Sequence, residues 1–194
     1  MMHRLALYLG LVTLATAGAG CTAPPSPTTL LPPAAASSAT SRTSGIPTTT
    51  PAPDPTVDLH SATAVAVAEV DATWTLNTHE DTGWYAGELR ASAYMTPSYK
   101  AAIRSTPPLG SALGATWMTW AAHQVVTSVT TSVETDPGGP VDTGTAAYVQ
   151  VAATVTPVGA DGWVGSPQVW VTYLVLTRST RSRPWQVSST ETTQ

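Results

Sequence analysis

Side chains able to act as acids, bases, nucleophiles or metal ligands are few in this sequence, and they stand far apart. Of its four histidines, only His79 has acidic neighbours, Glu80 and Asp81. With His123 these would be the donors of a metal site, but successive residues of one polar loop do not converge on a single point without a special turn. No metal site and no cofactor are therefore predicted. The chain has no Gly-Xaa-Ser-Xaa-Gly elbow, no phosphate-cradling glycine loop and no His-Glu-Xaa-Xaa-His helix, so it is read as a non-enzyme with no catalytic residue. Arg178, Arg181 and Arg183 cluster in one stretch, where they would meet an anionic polymer or simply water. Trp117 and Trp120 suit a sugar- or protein-contacting surface as well as an ordinary place in a core. The remaining reactive group is the single cysteine, Cys21.

Cys21 has no partner for an intramolecular disulfide, which is unusual for an exported chain. Export is nevertheless what precedes it. A short basic start (His3, Arg4) leads into an apolar run, Leu5 to Thr16, and then into Ala17-Gly18-Ala19-Gly20, the three parts of a signal sequence. The apolar run is shorter than the ~20 residues that span a bilayer. The small residues before Cys21 resemble the lipobox of bacterial lipoproteins, with Gly18 where that pattern usually has Leu. The resemblance implies cleavage before Cys21 and a diacylglyceryl thioether on its sulfur, with palmitate-type chains. Two acyl chains suffice for stable anchoring, because each buried methylene adds roughly 0.8 kcal/mol. The alternative is an ordinary secretory signal followed by a coincidental cysteine.

From Thr22 to Val57 the chain is dominated by Pro, Ser and Thr, and only Arg42 and Asp54 are charged. Such a stretch buries too little apolar surface to offset its ordering entropy. Its prolines stiffen it toward polyproline II at ~3.1 Å per residue, giving a reach on the order of 100 Å. Three segments follow: a signal peptide (1–20), a lipidated cysteine with a disordered tether (21–57) and one globular domain (58–194). The net charge of -4 comes from scattered residues, so no nucleic-acid partner is expected. The membrane is expected as a partner only through the lipid, on the extracytoplasmic face.

In the domain, Asp58 is the expected cap of a helix reaching about Asn77, with Leu59, Thr63, Ala66, Val67, Val70 and Trp74 on its apolar stripe and Glu69 and Asp71 on the flanks. A second helix is expected from Trp84 to about Met95, and a third behind the Thr96-Pro97 start signal. After a flexible Gly110 to Gly114 region the period changes to two. Val125, Val129 and Val133 alternate with polar residues from His123 to Glu134, as do Ala147, Val149, Val151, Ala153 and Val155 in the next strand. The stretch from Gln168 to Thr177 is apolar on both faces and is read as the most buried strand. A fourth begins at Trp185. Helices followed by four closely connected strands predict an α+β domain, its N-terminal helices packed on a curved four-stranded antiparallel sheet.

The order of elements, with Leu89-Arg90, Tyr94-Met95-Thr96-Pro97, Trp117, Trp120 and His123, and Asp161-Gly162-Trp163, resembles the NTF2-like (cystatin-like cone) domains of exported proteins in high-GC Gram-positive bacteria, including VirB8-like conjugal-transfer proteins. The resemblance implies a protein-binding or assembly role, through partners or self-association, in a conjugation or type IV secretion-like apparatus. VirB8-like proteins carry a true transmembrane helix, and this chain departs from them there. The cone implies a second function, binding of a small apolar ligand or lipid in its cavity. Residues placed at such a cavity or at a binding surface are His123, whose parity matches the inward Val125, together with Trp117, Trp120 and Tyr148. Asp71 and Tyr94 are the further candidates for an acid or base at the cavity mouth.

Overall fold

The computed structural model describes residues 51–105, 114–135 and 137–194. The signal segment, Cys21 and the Pro/Ser/Thr-rich stretch up to residue 50 lie outside the described residues, as do Pro107-Pro108, 110–113 and Asp136. Along the described chain run α1 (Ala62–Trp74), α2 (Tyr85–Ala91), a single 3-10 turn (Ser92–Tyr94), α3 (Pro97–Ser105) and α4 (Gly114–Ala122). They are followed by β1 (Val126–Glu134), β2 (Ala146–Val158), β3 (Gln168–Thr177) and β4 (Gln186–Thr193). The strands pair in chain order as one antiparallel meander. The sheet is open, and the domain belongs to the expected α+β class.

Alternation decides which face is covered. Val129 pairs with Val155, Ala147 with Leu176 and Leu176 with Val187, and these residues share the inner face. Against it lies α1, which touches all four strands. Val65, Val70, Val151, Val155, Leu174, Leu176 and Val187 have almost no exposed surface, each such side chain contributing roughly 1.5–3 kcal/mol by burial. The break after α1 is closed by Thr127, whose hydroxyl accepts from Leu76 N at 2.7 Å and donates to the Trp74 carbonyl at 2.6 Å. Two backbone groups that the helix end leaves unpaired are thereby satisfied.

Several elements differ from the sequence expectation. The cap of α1 is Ser61, which accepts from Ala64 N at 3.2 Å. Asp58 instead accepts from His60 N in a preceding turn. The helix ends at Trp74, and its buried face carries Val65, Ala66, Glu69 and Val70, so Glu69 points inward rather than flanking. Eight of the 13 helical residues are Ala or Val, which leaves little periodic contrast to fix the face. Trp117 and Trp120 sit on α4, a helix absent from the expectation. Gln124 follows with φ 50, a left-handed kink that resets the alternation before β1. β3 is buried on one face only: Val169 and Tyr173 are 52% and 43% exposed. Residues 54–57 are tied to the domain, since Asp54 N donates to the Tyr94 hydroxyl at 3.1 Å and Val57 packs on the core.

Candidate functional site

The inner face of the sheet is not filled along its whole length. Between the C-terminal half of α1, the helices α2 and α3, and the strands β3 and β4, a cavity of about 510 Å3 remains. Trp74 of α1 stacks on Trp170 of β3, ring centroids 4.6 Å apart and planes at 17°, and the pair forms one wall. Trp84 and Tyr99 line other parts. Trp84 is held edge-on by Trp117 and Trp120, at 5.2 and 4.9 Å, while the Tyr99 hydroxyl shares a 2.7 Å hydrogen bond with Thr190 Oγ1. Thr96 positions α3 by accepting from Tyr99 N; its own N–H donates to the Val187 carbonyl at 2.8 Å, which ties the start of α3 to β4.

Two carboxyl groups enter this largely apolar space. Glu69 is only 3% exposed and lines the cavity. Burial pushes its carboxyl up to about 8, against a downward pull from the Thr73 hydroxyl and with a further push from the charge of Glu88. Thr73 Oγ1 makes no hydrogen bond among the described residues, and desolvation prevails. At neutral pH Glu69 is therefore mostly protonated. Glu88 is exposed on the solvent side of the cavity, and partial desolvation raises its carboxyl above the usual range. No Lys, Arg or His is among the described residues that line the cavity. Trp170 Nε1 and Thr73 Oγ1 are buried without a hydrogen-bond partner among the described residues, an arrangement that costs about 1–3 kcal/mol per group.

None of the residues named from sequence as candidates for a cavity, a binding surface or an acid or base (His123, Trp117, Trp120, Tyr148, Asp71 and Tyr94) lines this cavity. The His123 ring stacks on Trp163, with centroids 4.5 Å apart, and its Nδ1 lies 2.8 Å from Asp161 Oδ2 in the loop between β2 and β3. The kink at Gln124 is why its parity with Val125 misleads. The His123 contact and the backbone N–H of Trp163 hold the Asp161 carboxyl below its usual range. Trp117 and Trp120 are buried in the core, each 3% exposed. Tyr148 lies on the opposite face of the sheet beside a shallow groove with Tyr173. Asp71 is exposed on α1, and Tyr94 receives the Asp54 N–H. Asp81 is clamped by Arg90, with N···O distances of 2.7 and 3.0 Å, and accepts from Asn77 N, so it serves the loop. Sequence reasoning missed Glu69 and Glu88. The available signal was an acid, Glu69, inside an Ala/Val helix, one turn after Val65 and one turn before Thr73.

The arrangement is that of a small α+β domain with one aromatic-walled, acid-bearing cavity between its helices and its sheet. No family model, no curated protein and no solved structure matches the chain.

Proposed function

We propose that this domain binds a small, largely apolar molecule in the cavity between the helices and the sheet, as the extracytoplasmic part of a lipoprotein anchored through Cys21. The observation that carries the reading is the cavity itself. Its size falls within the roughly 300–1,000 Å3 of small-molecule sites, which are mostly apolar with a few placed polar groups. Here those groups are Glu69, Thr73 and Trp170, polar groups buried at the wall without a full set of protein partners. The similarity of the sequence to NTF2-like cone domains agrees with this use of the inner face, and no reaction is part of the reading. Native mass spectrometry of the protein purified from its own envelope tests it. A bound small molecule is expected in the wild type and not in Thr172→Trp, whose indole would occupy the space. Wild-type protein that carries no molecule and takes none up from an envelope extract would end the proposal.

A second reading, the assembly role implied by the resemblance to VirB8-like proteins, is favoured by the outer face of the sheet. Tyr148, Val169 and Tyr173 are 40%, 52% and 43% exposed there, on neighbouring strands. Grouped apolar residues of this kind mark contact surfaces. Crosslinking in cells that captures neither a second copy nor another envelope protein counts against it. No nucleic-acid partner belongs to either reading. Among the described residues no helix is long and apolar enough to cross a membrane.

A further inference from the structure

The chemical character of the cavity narrows its ligand. Its walls hold two carboxyl groups, three indoles and a phenol, and among the described lining residues there is no basic side chain. A buried acid is normally paired with a cation or a donor, because burying the charged form alone is expensive. No such cation stands beside Glu69 among the described lining residues, although it is 3% exposed and faces an open space. An anionic ligand would meet Glu88 without any compensating charge. A cationic one would meet the buried Glu69 carboxyl and, at the exposed side of the cavity, Glu88, beside aromatic surfaces that attract positive charge. The other ionisable side chains among the described lining residues are Glu88 from α2, whose charge bears on Glu69, and Tyr99 from α3, while β3 and β4 present none to the cavity.

We propose that the ligand is an organic cation, a protonated amine or quaternary ammonium on an apolar body, held between the Glu69 and Glu88 carboxylates and the indoles of Trp74, Trp84 and Trp170. This rests on the binding reading above and specifies its substrate class. It carries a linkage consequence. Burial keeps Glu69 mostly protonated at neutral pH, so a cation that pairs with its carboxylate must displace that proton. Binding then releases about one proton per ligand near pH 7 and strengthens as pH rises toward 8.

The test compares benzyltrimethylammonium, whose charge does not titrate, with its uncharged carbon isostere neopentylbenzene, each titrated calorimetrically into the purified full-length protein. The cation is expected to bind at least about tenfold more tightly at pH 8, a difference of one decade in the dissociation constant. Its affinity should fall on the order of tenfold or more between pH 8 and pH 6, as Glu69 takes its proton back. In Glu69→Gln that pH dependence should flatten, and Thr172→Trp should abolish binding. Should Glu69→Gln fail to fold, proton release by the wild type, read from titrations in buffers of different ionisation enthalpy, decides instead. Equal or tighter binding of neopentylbenzene, or a cation affinity independent of pH in the wild type, overturns the cation proposal and leaves the cavity as a site for neutral apolar molecules. Binding of neither probe, together with no envelope molecule on the native protein, overturns both.

Discussion

Glu69 sets a pH dependence that can be signed without reference to any ligand. Its carboxyl is raised from 4.5 to about 8 in the fold, so between those values the folded chain keeps a proton that the unfolded chain has released. Stability contributed by the neutral acid is therefore fully present below about pH 4.5 and is lost as pH rises through 8. Replacing Glu69 by Gln keeps the shape and removes the ionisation. Urea unfolding at pH 5 and pH 9 should show the variant gaining about 2–4 kcal/mol on the wild type at the higher pH. Parallel profiles of wild type and variant would show that the Glu69 carboxyl titrates alike in the folded and unfolded chain and is not raised by the fold. Asp71 and Glu88, also raised by burial, leave a smaller slope of the same sign in both proteins. This residue was hard to find from sequence for a physical reason. In a helix of Ala and Val nearly every direction is apolar, so its orientation is set by packing against the inner face of the sheet rather than by its own pattern.

At the scale of elements, α2 comes very close to the end of α1. A Cβ on Gly87 would overlap the Thr73 carbonyl oxygen and crowd Leu76, and backbone cannot give way as a side chain tip does. Gly87→Ala should therefore destabilise the domain by about 1–3 kcal/mol or more, although Ala is the better helix former. Because Thr73 and Glu88 flank this contact, the cavity should change shape with it. Thermal unfolding measures the first effect, and an unchanged or raised midpoint would show that the helices can separate freely. β1 and β2 were legible because polar and apolar residues alternate and only one face is covered. β3 was misread because Val169, Val171, Tyr173 and Val175 are apolar on the uncovered face too, and alternation is silent when both faces look alike. α4 was missed because Gly and Thr punctuate its start, while its two buried tryptophans gave a spacing without a direction. His123 was misplaced by a single residue, Gln124, whose positive φ no periodicity encodes. The strands were therefore legible as elements, whereas the one covered face of β3 that walls the cavity, and the acids facing it, were not.

For the whole molecule, Cys21 remains the sharpest prediction of the sequence. Cys21→Ser should leave the domain folded, since the described core begins at Val57, yet it should abolish anchoring because a hydroxyl forms no thioether. Cell fractionation and mass spectrometry of the wild-type N-terminus check this. The lipoprotein reading fails if the wild type lacks an acyl mass and both versions are equally soluble. The junction at residues 54–57 bears on what such anchoring would transmit. Asp54 accepts from both the backbone and the hydroxyl of Thr56, and its own N–H is held by Tyr94, on the 3-10 turn that leads to Met95 at the cavity wall. A pull along the preceding chain would thus load a short hydrogen-bonded clasp first, then the turn at Asp58, and only afterwards α1. The clasp works as a strain relief: tension in the leash is spent in peeling a few exposed bonds, and the pocket keeps its shape until they are gone.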